Sequence, residues 1–471
     1  MSLERFYSQS PVWAQTLMLN AYALRIEHHR YGPPYRSALR RLLQRERAPR
    51  EELTAFQDRQ VRSVVKAAYE HSRYYREVMD HHGVLPADIG GVRDLWKLPL
   101  LTKETVRERG ADLLTGDTST PGWLHGHTSG TTGSPLSLWY DRNTCVMTNA
   151  VDRRQKVWGG MTEVDWLGVF LGRTVVPPRE SKPPFWRVNR VHRQVWFSSF
   201  HMAEENLDLY VREIGRRGLR FLEGYPSTLF IVARHVLRQG LRLPMRAVFT
   251  SSETLHSVQR ETIREAFGCE IFDFYGHAER VIFAAECEAH SGKHLSEEFG
   301  YTEVVDEEGR PVPDGEVGFL VGTSLHNHAM PLIRYRTGDL SSMVREPCEC
   351  GRTLVRIRDV ATKAEDIVVT PDGRMISPSV LTHPFKPFDQ IIKSQLVQER
   401  PDHLLVKIVA SADFSPADER ELRQRLAERL GTGIALEIVQ VEDIPRERSG
   451  KYRWVISRIP HTCSFAWEHV G

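Results

Sequence analysis

His127-Thr128-Ser129-Gly130-Thr131-Thr132-Gly133-Ser134-Pro135, followed by the alternating run Leu136-Ser137-Leu138-Trp139-Tyr140, is the most informative stretch of the chain. Glycine lets backbone amides turn toward an anion with no side chain in the way, and a concave run of such amides binds phosphate. The Ser and Thr hydroxyls can bond phosphate oxygens directly. No lysine closes the loop, so it is not the G-x-x-x-x-G-K-[ST] phosphate loop. Gly/Ser/Thr clusters are most often flexible linkers. The strand-like run after this one, and polar motifs far downstream, separate the two readings.

Working outward, the middle of the chain alternates helix and strand. Leu207, Tyr210, Val211 and Ile214 form a helical stripe, Leu219–Leu222 reads as a strand, and Tyr225-Pro226-Ser227 opens a second helix. Ala247–Thr250 is the next strand, a helix runs to Phe267, and Glu270–Phe274 is strand again. Such alternation predicts a doubly wound α/β layer with ligands at the carboxyl ends of its strands. Those ends carry Glu223-Gly224-Tyr225, Ser251-Ser252-Glu253 and Tyr275-Gly276-His277. Residues 1–115 read as helical and rich in arginine, with Glu51–His82 as one long helix. After about residue 295 the texture is β-rich. From 363 a small α+β unit begins, with a Pro371-Asp372-Gly373 hairpin and strands near Ile391–Gln398 and His403–Val409. A helix there is capped by Ser415 and stopped by Gly431, and a last strand lies near Ile434–Val441. The expected fold class is α/β, with a large N-terminal domain over 1–362 and a small mobile C-terminal domain over 363–471.

Bulk properties narrow the function. The chain has 471 residues, 41% hydrophobic and 26% charged, and a formal charge of +2, which gives no global case for a nucleic-acid partner. Six cysteines in so long a chain do not make a disulfide scaffold. The N-terminus lacks a signal-peptide pattern. The apolar segment Val12–Ile26 is interrupted by Gln15, Asn20 and Arg25, too short and polar to span a bilayer, and is expected to dock on the protein's own core rather than on a membrane surface. A cytoplasmic protein is expected.

Taken singly, Glu279 is an ordinary solvated carboxylate or cap, Asp339 a turn residue and Lys451 a solvated lysine. Their order changes that. Thr128–Pro135, Tyr275-Gly276-His277-Ala278-Glu279, Tyr335-Arg336-Thr337-Gly338-Asp339 and Pro445–Arg453 with Ser449-Gly450-Lys451 resemble, in sequence order, the T-S-G-T-T-G-x-P, Y-G-x-[TA]-E, Y-R-T-G-D and S-G-K-x-x-R motifs of the adenylate-forming superfamily. That superfamily includes acyl-CoA ligases, peptide-synthetase adenylation domains and luciferases. Within it, the arginine-rich N-terminus, Tyr225-Pro226-Ser227 and Thr250-Ser251-Ser252-Glu253 are similar to the phenylacetate–CoA ligase branch and its relatives in polysaccharide gene clusters.

The resemblance implies ATP-dependent activation of a carboxylic acid. Thr128, Ser129, Gly130, Thr131, Thr132 and Gly133 would hold the phosphates, with Thr131 next to the chemistry. Glu279 would bind Mg²⁺, a hard cation suited to carboxylate oxygens. Asp339 can accept from both ribose hydroxyls. Tyr275 offers adenine an aromatic face, with Gly276, Asp273 and Ser251, Ser252 and Glu253 nearby. Lys451 would stabilise the α-phosphate from a domain that closes over the site and then rotates away. At the linker the family's G-R-x-x-D is replaced by Thr362-Lys363-Ala364-Glu365-Asp366. Lys363 keeps the charge but lacks the planar fork that arginine offers ribose, and the glycine is lost.

A second constellation is Cys287, His290, His294, Cys348 and Cys350. Three cysteines and one histidine match a closed structural Zn²⁺ site, and relatives in the branch can carry a metal at such a cluster. We favour Cys287, His294, Cys348 and Cys350, with His290 as the alternative to His294. Cys145 and Cys269 are expected in the core, and Cys463 is unassigned. His125 and His127 read as structural. Arg173, Pro177, Pro178, Lys182 and Trp186 lie where the family's acyl-pocket lid would be, and a solvated loop accounts for them equally well.

The expected function is activation of an aryl or acyl acid to an acyl-adenylate, followed by thioester formation with CoA. Alternatives are transfer to an amine or hydroxyl, and a non-catalytic nucleotide-binding homologue. The expected ligands are the acid, ATP, Mg²⁺, CoA and Zn²⁺, with a homodimer as the default assembly.

Overall fold

Short runs of Leu, Val, Phe and Ala, apolar on both faces, build the centre of the molecule, as parallel strands covered by helices on both sides require. The computed structural model describes residues 3–128, 136–177, 179–360, 368–372, 375–376, 378–385, 387–388, 390–431, 433–444 and 454–459. Five parallel strands lie in the order Gln194–Phe197, Leu167–Phe170, Phe221–Gly224, Ala247–Ser251, Ile271–Gly276. Helices Glu204–Arg216, Pro226–Arg238 and Ser257–Phe267 make the crossovers. Trp186–Asn189 adds an antiparallel strand at one edge. Phe283–Glu286, Lys293–Leu295, Arg356–Ile357 and Met343–Val344 extend the other edge, giving ten strands in all. The expected α/β layer and the strand ends named from sequence are therefore present.

Gly300–Val305, Gly318–Ser324 and Tyr335–Ser341 form a three-stranded antiparallel sheet, the β-rich texture expected after 295. It is not a detached appendage, because the chain returns from it to the large sheet through Met343–Val344 and Arg356–Ile357. The C-terminal unit is a four-stranded sheet in the order Ala435–Gln440, His403–Ala410, Ile391–Arg400, Val455–Ser457, covered by helix Pro416–Leu430. Ser415 Oγ accepts from Asp418 N, the cap expected from sequence, and the structure adds the reciprocal bond, Asp418 Oδ2 accepting from Ser415 N. Ala435–Gln440 is not the last strand. Val455–Ser457 follows it and pairs in parallel with Ile391–Arg400, anchored by the buried Trp454, whose indole N–H donates to Ser394 Oγ at 2.9 Å.

Two N-terminal expectations need correction. The long helix predicted over Glu51–His82 is two helices, Arg50–His71 and Arg73–His82. Ser72 breaks the run because its hydroxyl donates to Asp112 O and accepts from Tyr75 N, serving a cap instead of a helix interior. Helix Val12–Ile26 docks on the molecule, but by its polar and small residues. Gln15 and Ala23 are buried, while Trp13, Leu17 and Leu24 face outward. Among the described residues, no helix is long and apolar enough to cross a membrane.

Candidate functional site

The carboxyl end of Ile271–Gly276 and the segment that follows it exchange side chains with the strand Tyr335–Ser341. Tyr275, from the Y-G-H-A-E run, donates its hydroxyl to Asp339 Oδ2 at 2.8 Å. Tyr335, which opens the Y-R-T-G-D run, donates to Glu279 Oε1 at 2.7 Å. Each motif thus supplies the phenol that holds the other's carboxylate. Both tyrosines are buried, and burial pushes both phenols well above their ordinary range, so they remain donors.

Glu279 also meets His277 Nδ1 at 3.2 Å. Burial opposes its ionisation, yet the hydrogen bonds from His277 and Tyr335 and the charge of Lys103 hold it at about 2. Lys103 reaches this point because Leu101 is stitched to the strand, with Leu101 N on Arg334 O and Arg336 N on Leu101 O, at 3.0 and 2.9 Å. Gly338 turns the chain before Asp339 with φ of 86°, a conformation open to glycine and strained for other residues. Thr337 Oγ1 then accepts Asp339 N at 3.1 Å.

The hairpin Leu124–His127/Ser137–Tyr140 carries the glycine-rich loop. Of the loop residues singled out, Ser129, Gly130, Thr131, Thr132 and Gly133 lie outside the described residues, as do Lys363 and Lys451. Thr128 closes the loop's base, with its amide on Leu136 O at 3.1 Å and its hydroxyl oxygen accepting Leu136 N at 2.8 Å. Tyr140, at the end of the hairpin, donates to Ala278 O at 2.7 Å, and Arg280 lies over its ring at 3.9 Å. These contacts set the loop's stem against the Ala278-Glu279 segment. His125 stacks on Trp139, and His127 packs on His125, in keeping with structural roles.

Other candidates have partners in the frame. Asp273 is buried, accepts from Thr250 Oγ1 at 2.6 Å and pairs with Lys293 at 3.2 Å; burial raises it to about 6. Glu253 Oε2 accepts Ser227 N at 3.2 Å, capping helix Pro226–Arg238 with a carboxylate where the helix dipole favours one. Ser252 is held at φ of 70°, with its hydroxyl 3.3 Å from that of Ser251. Arg173 lies over Trp196 at 4.8 Å, Lys182 is exposed, and Trp186 packs in the edge strand, so the described part of the expected lid is not gathered into one cluster. Pro178 lies outside the described residues. Sequence reading missed Tyr140, Arg280 and the buried Lys156. Lys156 bridges Asp152 and Glu223 at 2.6 and 2.9 Å.

Cys287, His294, Cys348 and Cys350 converge, with their ligand atoms all within 4.8 Å of one another. Cys287 and Cys348 sulfurs are 3.7 Å apart and Cys350 Sγ is 3.3 Å from His294 Nε2. Two sulfurs on one tetrahedral zinc would be about 3.8 Å apart. His294 Nδ1 is bonded to Leu354 O at 2.8 Å, which leaves Nε2 facing the sulfurs. Amides of Ala289 and Arg352 donate to Cys287 and Cys350 sulfurs at 3.4 Å. The donor set and spacing fit a closed zinc site. His290 is not part of it: its ring turns to Glu286 at 3.3 Å. Cys145 is buried beside Arg280, Cys269 is half-buried, and Cys463 lies outside the described residues.

The CapK C-terminal domain family matches residues 368–458. Protein CapK of Staphylococcus aureus is 25% identical over 474 residues, covering 97% of this chain and 100% of that one. The phenylacetate-coenzyme A ligase of Thermus thermophilus is 27% identical over 460 residues, covering 87% and 98%. A structure of 2-hydroxyisobutyryl-CoA ligase with 2-HIB-AMP and CoA superimposes with a TM-score of 0.59 at 21% identity, covering 88% and 92%, and shares the fold. The chain is similar over most of its length to CapK and the phenylacetate-coenzyme A ligases, and it has the fold of the adenylate-forming acyl-CoA ligases.

Proposed function

We propose that this protein activates a carboxylic acid, of the aryl or acyl class, with ATP and passes the acyl group to CoA. The observation that carries the proposal is the crosswise pairing of Tyr335 with Glu279 and Tyr275 with Asp339 at the strand ends. It sets two carboxylates, one held ionised, beside the stem of a phosphate-type loop. Relatives named phenylacetate-coenzyme A ligase support the choice of acid and acceptor. The use of ATP and CoA supports a cytoplasmic location.

In the first half-reaction a carboxylate oxygen of the acid attacks the α-phosphorus of ATP. The bond to the β-phosphate breaks and pyrophosphate leaves. Two anions must approach, so fixed donors and positive charge carry the catalysis. Loop amides and the hydroxyls of Ser129, Thr131 and Thr132 hold the leaving pyrophosphate. Thr128 keeps the loop's base closed. Lys451 supplies positive charge at the α-phosphate. Asp339, oriented by Tyr275, accepts from the ribose hydroxyls. Ser251, Ser252 and Gly276 line the purine side, and Lys363 meets the nucleotide from the linker. Glu279 fits Mg²⁺, because its carboxylate is ionised and keeps lone pairs beyond those used by Tyr335 and His277; the ion would neutralise phosphate charge. In the second half-reaction the CoA thiolate attacks the acyl carbon, AMP leaves, and the thiol proton passes to solvent. A domain boundary near 362 lets the small domain, over 363–471, remove Lys451 for this step. Cys287, His294, Cys348 and Cys350 would hold a structural zinc, which would tie the sheet edge to the turn 348–351.

The test is product analysis. The protein is incubated with ATP, Mg²⁺ and each member of a carboxylic-acid library, together with CoA and a panel of amine and alcohol acceptors, and the products are read by mass. An acyl-CoA with stoichiometric AMP supports the proposal. AMP formed with an acyl-amine or ester instead of a thioester refutes the CoA step, and no AMP with any acid refutes activation.

A further inference from the structure

Exposed apolar side chains are unevenly spread over this molecule. Phe6, Val12, Trp13, Leu17, Tyr22 and Leu24 all lie in the first two helices, Leu3–Gln9 and Val12–Ile26. The others, such as Leu85, Val164 and Leu241, are far apart in sequence. Single exposed apolar residues are ordinary, whereas a contiguous patch marks a surface built to be covered. At helical spacing Trp13, Leu17 and Leu24 fall on one stripe, and they are 72%, 63% and 62% exposed.

The helix is firmly held. Its buried Gln15 accepts through Oε1 from the buried Arg187 at 2.8 Å. Asn20 donates to Val188 O and accepts from Arg190 N, each at 2.8 Å. The helix is therefore fastened by polar side chains with its largest apolar ones outward, the inverse of a helix packed on its own core. The charge around it is mainly positive. The first 50 residues hold nine arginines against three glutamates. Arg25 follows Leu24 directly, and Arg190 and Arg193 lie on the hairpin turn that Asn20 grips; all three are exposed. The neighbouring Glu27 is engaged by His192 at 2.9 Å.

Tryptophan and leucine ringed by arginine suit a helix lying in the interface of a negatively charged bilayer. A second copy of the chain is the competing occupant. A two-fold contact along the stripe would bring Arg25, Arg190 and Arg193 toward the same three residues of the other copy, a like-charge clash that lipid phosphates relieve. The geometry points to peripheral docking on an anionic phospholipid surface. Trp13, Leu17 and Leu24 enter the headgroup–acyl boundary, and the arginines meet lipid phosphates. This inference does not depend on the reaction proposed above.

The experiment is co-sedimentation of the full chain with vesicles of phosphatidylcholine alone or mixed with phosphatidylglycerol. Partitioning is expected to be about tenfold or more stronger on the mixed vesicles, and to weaken between about 0.1 M and 1 M salt. Leu17→Glu with Leu24→Glu abolishes it. Arg190→Glu with Arg193→Glu lowers it about tenfold or more. Thermal midpoints stay at the wild-type value, since all four side chains are in solvent. The inference is overturned if the wild type ignores mixed vesicles or if the Leu17/Leu24 variant binds them equally well. It is also overturned if sedimentation velocity shows a wild-type dimer that this variant splits, which would assign the stripe to a second copy.

Discussion

Replacing Tyr335 by Phe removes one oxygen and tests the crosswise arrangement of the site. That hydroxyl donates to Glu279 Oε1 at 2.7 Å, a hydrogen bond to a charged acceptor. Such bonds contribute about 1.5–3 kcal/mol. His277 and Lys103 remain near the carboxylate, so Glu279 is not orphaned and the loss falls near the low end. About 1.4 kcal/mol is a factor of ten. Under the proposed function, the Mg²⁺ concentration giving half-maximal ATP–pyrophosphate exchange should rise about tenfold, with KM for ATP at saturating Mg²⁺ nearly unchanged. Tyr275→Phe should do the opposite. It frees Asp339, so KM for ATP rises about tenfold while the Mg²⁺ requirement stays. Each substitution thus weakens the ligand assigned to the other motif. The swap is volume-conserving, so the fold should survive both. The reasoning fails if Tyr335→Phe raises KM for ATP with Mg²⁺ dependence untouched, or if both variants match the wild type.

Three further outcomes follow from the frame. The purified protein should carry zinc at one per chain by elemental analysis, with Cys348→Ser losing both the metal and several degrees of thermal midpoint; a metal-free wild type of unchanged stability would refute the site. Lys156→Met leaves Asp152 and Glu223 uncompensated and should cost about 3–5 kcal/mol in unfolding experiments, part of which returns in the double variant with Glu223→Gln. No recovery would mean the charge pair is not the cause. Asp273 has a folded-state value of about 6, above its ordinary 3.8. Its stabilising contribution is therefore full below 3.8 and lost as pH rises through about 6. Asp273→Asn should remove that fall from the pH profile of the thermal midpoint, measured against Lys293, Glu286 and Thr250 unchanged; an identical profile would contradict it.

Much of this was legible in the sequence because local chemistry dictated it. Apolar runs fully buried between helices, the Ser415 cap and the turn at Gly338 each answer to rules acting over a few residues. The cysteine–histidine cluster, with His294 favoured and His290 as its alternative, was readable from residue type, and the fold closes that alternative by turning His290 toward Glu286. The pairing of Tyr335 with Glu279 and Tyr275 with Asp339 was not legible. It joins residues 56 and 64 positions apart, and a tyrosine in a glycine-rich motif reads equally well as a stacking face. The partners of Asp273 and Glu253 were not legible for the same reason: nothing local announces that Thr250, Lys293 and Ser227 stand beside these carboxylates. Helix Val12–Ile26 read as core-seeking because its composition is apolar. Its orientation was decided by Arg187 and Val188, more than 160 residues away. Ser72 broke a long helix through a partner, Asp112, that no local pattern announces.

The central claim is that the glycine-rich loop, Glu279, Asp339 and Lys451 act together to form an acyl-adenylate. Acid-dependent exchange of labelled pyrophosphate into ATP measures that step alone, before any acceptor is needed. The account requires exchange that appears only when a carboxylic acid is present and that falls about a hundredfold or more in Lys451→Ala. Exchange with no acid in a broad library, or at the wild-type rate in Lys451→Ala, would contradict it.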